Sequence, residues 1–365
     1  MKGLLYNIDE IIDGLDDMYA HVSKEEDGES EKLKDHLNLV MEQVYLFNEH
    51  NNFFEKVNLL IKDILNTIDL YENNEEVKDF IFKIFLNAIY FHDIGKCSIA
   101  FQYKKMGNQC FRDYYTENMS VNHSPFSSRI YADVVCGDLE KSLSKFKTKD
   151  SLLGGAFLLY IIINFIYCIQ THHSYMISIR EFIVEGLDKI FKYENEYGDL
   201  MFKSSKECSE LIKYTLSSDK SKVLLNMKRY VVALDKILDG VSRELLLLNK
   251  ILYSSMVTAD SLATSKYMNK ISFDFKSLNI DEVVMEYEKT DIIQGIKRHI
   301  DTNCYKNTIN EVRCDIFIES NDRLVENIDA NIFYLEAPTG SGKTNMATNC
   351  SLKCVELTKN TNNFL

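Results

Sequence analysis

Apolar residues recur at helical spacing along most of the chain. Leu33, His36/Leu37, Val40, Val44 and Phe47 form one stripe, with His36 on its apolar side. The preceding run 23–35 (SKEEDGESEKLKD) is polar and charged and reads as a solvated loop or helix start. A second helix is predicted over roughly residues 76–92, with Val77, Ile81, Ile84/Phe85, Ala88 and His92 on one face and Gly95 as its stop. Tyr103 to Val121 has no period. Ser124-Pro125 then reads as an N-cap followed by proline in the first turn, opening a helix to about Cys136, with His123 just before it. Residues 152–170 are apolar all round and run into His172-His173. Amphipathic patterns follow over 179–193, 221–238 and 243–266; in the last, Leu245, Leu248, Leu252, Met256, Asp260 and Ala263 lie near one face. Beyond about residue 275 the texture changes. A helix is predicted over 281–300, a strand over Asn331–Glu336 (NIFYLE), a glycine-containing loop over 336–344, and a short helix after it. No internal repeat is present.

This pattern predicts a mainly α protein. In 365 residues there are two prolines, Pro125 and Pro338, and 14 glycines. That is too few breakers for an all-β sandwich or barrel. With 45% apolar residues the chain can bury a sizeable core, and its length suggests two domains. The net charge of −13 is unevenly spread: residues 1–80 hold 20 Asp+Glu against 7 Lys+Arg, and the remainder holds 35 of each. The body of the chain therefore carries no charge objection to a nucleic-acid partner, and no basic signal for one. Leu152–Ile169 is an uncharged run of 18 residues, the lower limit for a membrane span. Gly154, Gly155 and Asn164 interrupt it and no Lys/Arg cluster flanks it, so a buried core helix is expected and no membrane partner. The nine cysteines include no Cys-x-x-Cys pair, and Met1–Glu10 is too polar for a signal peptide. They read as reduced thiols of a cytoplasmic protein, not as a zinc site.

The chemistry concentrates in histidines and carboxylates. Of eight histidines, His36, His92, His123, His172 and His173 each fall on the apolar face of a predicted helix or at a helix end. Asp93 adjoins His92, and Asp260 sits inside an apolar helical pattern. A carboxylate in such a place costs several kcal/mol unless it is paired or metal-bound. Any one of these histidines is accounted for as a hydrogen-bonded core residue; all of them together point to a metal centre. Imidazole with carboxylate suits Mn, Fe, Co, Ni or Zn better than Mg, which prefers an all-oxygen shell. Seven ligands exceed the needs of one ion, so two are expected, with Asp93 placed to bridge them. An ion pair of that kind suits phosphodiester chemistry.

His36, His92-Asp93 within His-Asp-Ile-Gly-Lys, His123-Ser124, the tandem His172-His173 and Asp260 in Thr-Ala-Asp resemble the pattern of the HD-domain superfamily. With the phosphate-loop motif described next, the chain resembles the CRISPR-associated HD nuclease–helicase of type I CRISPR systems. The resemblance implies an all-α HD nuclease domain over residues 1–275 that cuts single-stranded DNA. It implies one ion on His36, His92, Asp93 and Asp260, and another on Asp93, His123, His172 and His173. Lys96 would contact the scissile phosphate, and an RNA-guided surveillance complex would be the recruiting partner.

The second motif is Ala337-Pro338-Thr339-Gly340-Ser341-Gly342-Lys343-Thr344, between the predicted strand and helix. That is the context of a phosphate-binding loop, in which Gly340 and Gly342 allow the backbone to cradle phosphates, Lys343 reaches the β/γ-phosphates and Thr344 holds Mg. The resemblance makes residues 276–365 the opening of an α/β RecA-like helicase lobe. Only 21 residues follow Thr344, so weak ATP–Mg binding without turnover is expected of a truncated helicase part. Two other readings share these residues: an HD phosphohydrolase acting on nucleotides or cyclic dinucleotides, and an inactive truncated remnant.

Overall fold

The structure is a computed structural model that describes residues 3–12, 14–23, 29–174, 182, 238–271, 280–302, 309–330 and 333–358. The predicted helices over 179–193 and 221–238 lie almost wholly outside these residues. The chain divides into two compact units, Met1–Phe275 and Lys276–Leu365. It is mainly helical, as the periodicity predicts.

The first unit is a helical bundle fronted by a small hairpin. β1 (Tyr19–His21) pairs antiparallel with β2 (Glu31–Lys32), and His21 is the register partner of Glu31. α1 (Leu33–Asn51) ends at Asn52, whose left-handed backbone turns the chain into α2 (Phe53–Ile68). α3 (Asn74–Tyr90) starts where the Asn73 side chain accepts from the Glu75 N–H. α4 (Ser124–Ser142), α5 (Ser151–Thr171) and α6 (Ser242–Met268) are the other α-helices of the unit among the described residues.

α5 is the central helix, packed against α3, α4 and α6. It is long and apolar enough to span a membrane, but 72% of its apolar window is buried within the unit. Its one awkward residue, Asn164, is buried and satisfied: Asn249 on α6 donates to its Oδ1 at 2.5 Å, and its own amide donates to the Tyr160 carbonyl. Asp150 caps α5 by accepting from the Leu152 and Leu153 N–H groups.

Several boundaries differ from the sequence expectation. α3 ends at Tyr90, so His92 and Asp93 stand in the tight turn that follows, ahead of the 3-10 turn Ile94–Cys97. Gly95 lies inside that turn and does more than stop a helix. A Cβ there would sit 2.2 Å from the His123 carbonyl oxygen and 2.5 Å from the Ser127 nitrogen. Its N–H donates to the Ser127 side-chain Oγ at 2.8 Å, which ties the turn to the start of α4. His123, not Ser124, occupies the cap position of α4, and the helix runs on to Ser142 because Val135, Cys136 and Leu139 continue its buried face. α2 was not among the predicted elements; Val57, Ile61, Ile64, Leu65 and Ile68 form its buried face.

The second unit contains α7 (Ile280–Glu288), α8 (Asp291–Thr302), α9 (Ile309–Glu326) and α10 (Lys343–Thr358); α7 and α9 pack on α10. The single helix expected over 281–300 is broken at Thr290. Its hydroxyl turns back on the Tyr287 carbonyl at 2.7 Å, while its own carbonyl accepts the Gln294 N–H that starts α8. α9 was not predicted either. The α/β character expected here is absent among the described residues. Asn331 and Ile332 of the predicted strand lie outside the described residues; residues Phe333–Glu336 form no strand, since among the described residues no neighbouring strand pairs their backbone groups, and Tyr334 is almost fully exposed.

Candidate metal centre

Every one of the seven predicted ligands lies in the first unit, and all converge. His36 comes from α1, His92 and Asp93 from the turn after α3, His123 from the cap of α4, His172 and His173 from the end of α5, and Asp260 from α6. Two groups result, Asp93–His123–His172–His173 and His36–His92–Asp93–Asp260, with the candidate ligand atoms of each within 4.8 Å of one another. Either group could hold a metal ion.

Asp93 joins the groups by dividing its oxygens. Oδ1 lies 2.8 Å from His123 Nε2 and 3.3 Å from His172 Nε2. Oδ2 lies 3.2 Å from His36 Nε2 and 3.6 Å from His92 Nε2. Asp260 Oδ1 approaches the same two imidazoles, at 3.3 Å from His36 and 3.8 Å from His92. His173, the exposed member, places Nε2 3.2 Å from His123 Nε2.

The donor atoms pass a test of fit to a cation. His36, His92, Asp93 and His172 are buried, yet His36 Nε2, His92 Nε2, His172 Nε2 and both Asp93 oxygens make no aligned hydrogen bond. Orphaned polar atoms in a protein interior are rare and costly. Here they face one another in the two groups that share Asp93. The far nitrogens are fixed: His92 Nδ1 donates to the Ile89 carbonyl at 2.8 Å and His172 Nδ1 to the Ile169 carbonyl at 2.6 Å. That choice of tautomer leaves each Nε2 as an acceptor aimed inward, the arrangement of a histidine ligand oriented by its backbone partner.

The electrostatics agree. Burial opposes ionisation of Asp93, but Lys96, His92 and His123 outweigh it and hold its carboxyl well below the usual range. Burial likewise opposes the charge on Asp260, and its contacts to His36 and His92 override it. Burial alone would strip the proton from His36; Asp260, Asp93 and Glu31 outweigh it and lift its pKa to about 10. Positive charge at His36 is thus favoured by the carboxylates around it. Burial and the neighbouring His172 push His173 down to about 4, leaving it a neutral donor of electrons. No cysteine belongs to any metal-type group among the described residues.

A third group, His21–Glu31–His36, was not predicted. Glu31 lies in the charged run expected to be solvated, yet it is fully buried. Burial raises its pKa, but the hydrogen bond from His21 and the close approach of His36 more than offset this and hold its carboxyl below the ordinary value. The signal that would have found it is its place in a strand pairing that puts it beneath α1, which the local composition does not carry. Lys96, which could have been a solvated residue past a helix end, is buried with its ammonium 2.7 Å from Asp93 Oδ2.

The phosphate-loop residues Gly340, Gly342, Lys343 and Thr344 belong to the second unit. Gly340 and Gly342 have φ of 81° and 88°, conformations that favour glycine, and α10 starts at Lys343. The Lys343 ammonium donates to the carbonyls of Ala337 and Pro338, folding back over its own loop. Arg313 on α9 clamps the Gly340 carbonyl through Nε and a terminal amine, at 3.0 and 2.8 Å.

Compared with protein-family models, curated proteins and solved structures, the chain matches none.

Proposed function

We propose that this protein is a metal-dependent nuclease that hydrolyses phosphodiester bonds of single-stranded DNA at the His/Asp centre, acting in type I CRISPR defence. The observation that carries the hydrolytic reading is the division of Asp93, one oxygen to each histidine set. When bound, a pair of divalent ions supplies an activated water and charge stabilisation for the phosphate oxygens. His36, His92, Asp93 and Asp260 would hold one ion and Asp93, His123, His172 and His173 the other, with transition metals preferred by the imidazole-rich donor set. Lys96, whose ammonium already lies against Asp93, adds positive charge beside the point where a phosphate would enter. Preference for single strands, and recruitment by an RNA-guided surveillance complex, rest on the sequence resemblance. Gly340, Gly342, Lys343 and Thr344 are expected to bind ATP–Mg weakly.

The test is cleavage of labelled single-stranded and duplex DNA by protein loaded with Mn, Co, Ni or Mg, beside turnover of nucleotides and cyclic dinucleotides. Faster cutting of single strands, with Mn, Co or Ni above Mg, is expected. Turnover of small nucleotides alone would replace this reading with a phosphohydrolase, and no turnover with any metal would make the chain an inactive remnant.

A further inference from the structure

The hairpin and the turn after α3 close a ring of five side chains. Glu31 Oε2 lies 2.5 Å from His21 Nδ1 and 3.3 Å from His36 Nδ1. His21 Nε2 lies 3.2 Å from Lys96 Nζ, Lys96 Nζ lies 2.7 Å from Asp93 Oδ2, and Asp93 Oδ2 lies 3.2 Å from His36 Nε2. The proton order around the ring follows from its members. Lysine only donates, so His21 Nε2 accepts from Lys96 and the His21 proton sits on Nδ1, donating to Glu31. Glu31 only accepts, so it faces the Nδ1 of His36, 3.3 Å away without an aligned hydrogen bond, and leaves Nε2 as the nitrogen directed at Asp93 and Asp260.

Backbone pairing makes the ring rigid. His21 and Glu31 are register partners across β1 and β2. Gln102, fully buried, staples β1 to the turn that carries Lys96. It accepts the Tyr19 N–H and donates to the carbonyls of Tyr19 and Lys96.

We propose that Glu31 and His21 are positioning residues for the His36–His92–Asp93–Asp260 group: Glu31 fixes the tautomer and aim of His36, and His21 locks Glu31 and Lys96 in place. The proposal rests on reading the centre as metal-binding. A carboxylate behind a ligating imidazole both orients the ring and raises its basicity, and such partners govern affinity by roughly 10–100-fold. The alternative is that His21, Glu31 and His36 hold an ion themselves. That would require His36 to ligate through both ring nitrogens and give up its Nδ1 proton, with the Lys96 ammonium 3.2 Å from His21.

The experiment uses the full chain titrated with Co(II) against a chromophoric chelator, with the visible absorption of bound Co(II) recorded alongside. Wild type, Glu31→Ala, Glu31→Gln and His21→Gln are compared, and circular dichroism verifies folding. Glu31→Ala should weaken one of two bound ions by roughly 10–100-fold and alter that ion's absorption, leaving the other ion untouched. Glu31→Gln, which can still accept one N–H, should recover part of the loss. His21→Gln, with a partly exposed side chain on the hairpin, should weaken the same ion only, and carries the test if Glu31→Ala does not fold. Two ions bound with wild-type affinity and spectrum in the folded variants would overturn the proposal. So would three ions on the wild type falling to two in Glu31→Ala, which would make the group a ligand site. A wild type that binds no ion would overturn the metal-centre reading itself, and this proposal with it.

Discussion

His92 and His172 meet edge to face with ring centres 5.2 Å apart, and each serves a different oxygen of Asp93. Both donate Nδ1–H to the carbonyl three residues earlier, so two unrelated helix ends present the same imidazole geometry from opposite sides. A carboxylate held between two such donors is the element on which both halves of the centre depend.

Asp93→Asn should therefore remove both ions, whereas His36→Ala and His172→Ala should each remove one. In the metal-free protein Asp93→Asn also leaves the Lys96 ammonium buried without its carboxylate, a loss of about 3–5 kcal/mol. Elemental analysis and urea unfolding check the two effects separately. Equal metal content in Asp93→Asn and wild type would contradict the bridging arrangement.

Gly95→Ala should act on the same centre from outside it. The added methyl would meet the His123 carbonyl and the Ser127 nitrogen, which are backbone atoms and cannot swing away. Relief requires the start of α4 to move off the turn, carrying His123 from Asp93. We expect at least ~1–3 kcal/mol of destabilisation and selective loss of the ion on the His123 side. Differential scanning calorimetry with a metal count will show whether both occur together.

Chelation should lower thermal stability in proportion to occupancy. An ion that binds only the folded chain contributes about 2.7 kcal/mol at 100 times its dissociation constant. Removing it with EDTA should lower the melting temperature, and Mn, Co or Ni should restore it. A melting temperature indifferent to chelator would argue that no ion contributes to folding.

Away from the centre, Asp138 offers a pH test. Tyr6 and Lys83 both donate to its Oδ2, at 2.7 and 2.9 Å. Burial opposes the charge, but these two contacts hold the carboxyl below its ordinary value. A depressed folded-state pKa gives stability that is present above the unfolded value of about 3.9 and lost as pH falls through the folded one. Asp138→Asn should cost ~1–2 kcal/mol at pH 7, and the difference should shrink as the pH falls below the unfolded value and through the folded one. A difference equal at both pH values would assign the effect to packing and not to charge.

The convergent His/Asp groups were legible in the sequence because residues able to hold a metal leave isolated marks. Histidines on apolar faces and at helix ends are conspicuous at His36, His92, His123 and His172-His173, and Asp260 stands out within an apolar stripe. What supports those ligands was not legible. Glu31 sits in a charged run, and only the pairing of β1 with β2 turns it inward. The consequence of Gly95 for His123 depends on a contact with α4, across 32 residues of sequence at its N–H to Ser127 bond. In the second unit the strand-like residues Phe333–Leu335 have the composition of a strand and, among the described residues, nothing to pair with. Composition there suggested a strand that the described residues do not form, since a strand is a property of two segments.

The pairing of His36 with Asp260 joins points 224 residues apart along the chain. No shorter stretch contains both halves of that ligand group. At a synthesis rate of about 5–20 residues per second, some ~11–45 s separate the appearance of the two side chains. Throughout that interval a growing polypeptide has an open group around His36 and His92 with no Asp260 to close it. Under the proposed reading, the group of His36 and His92 closes only once α6 has been made and has packed on α1, whereas Asp93, His123, His172 and His173 are all present well before it.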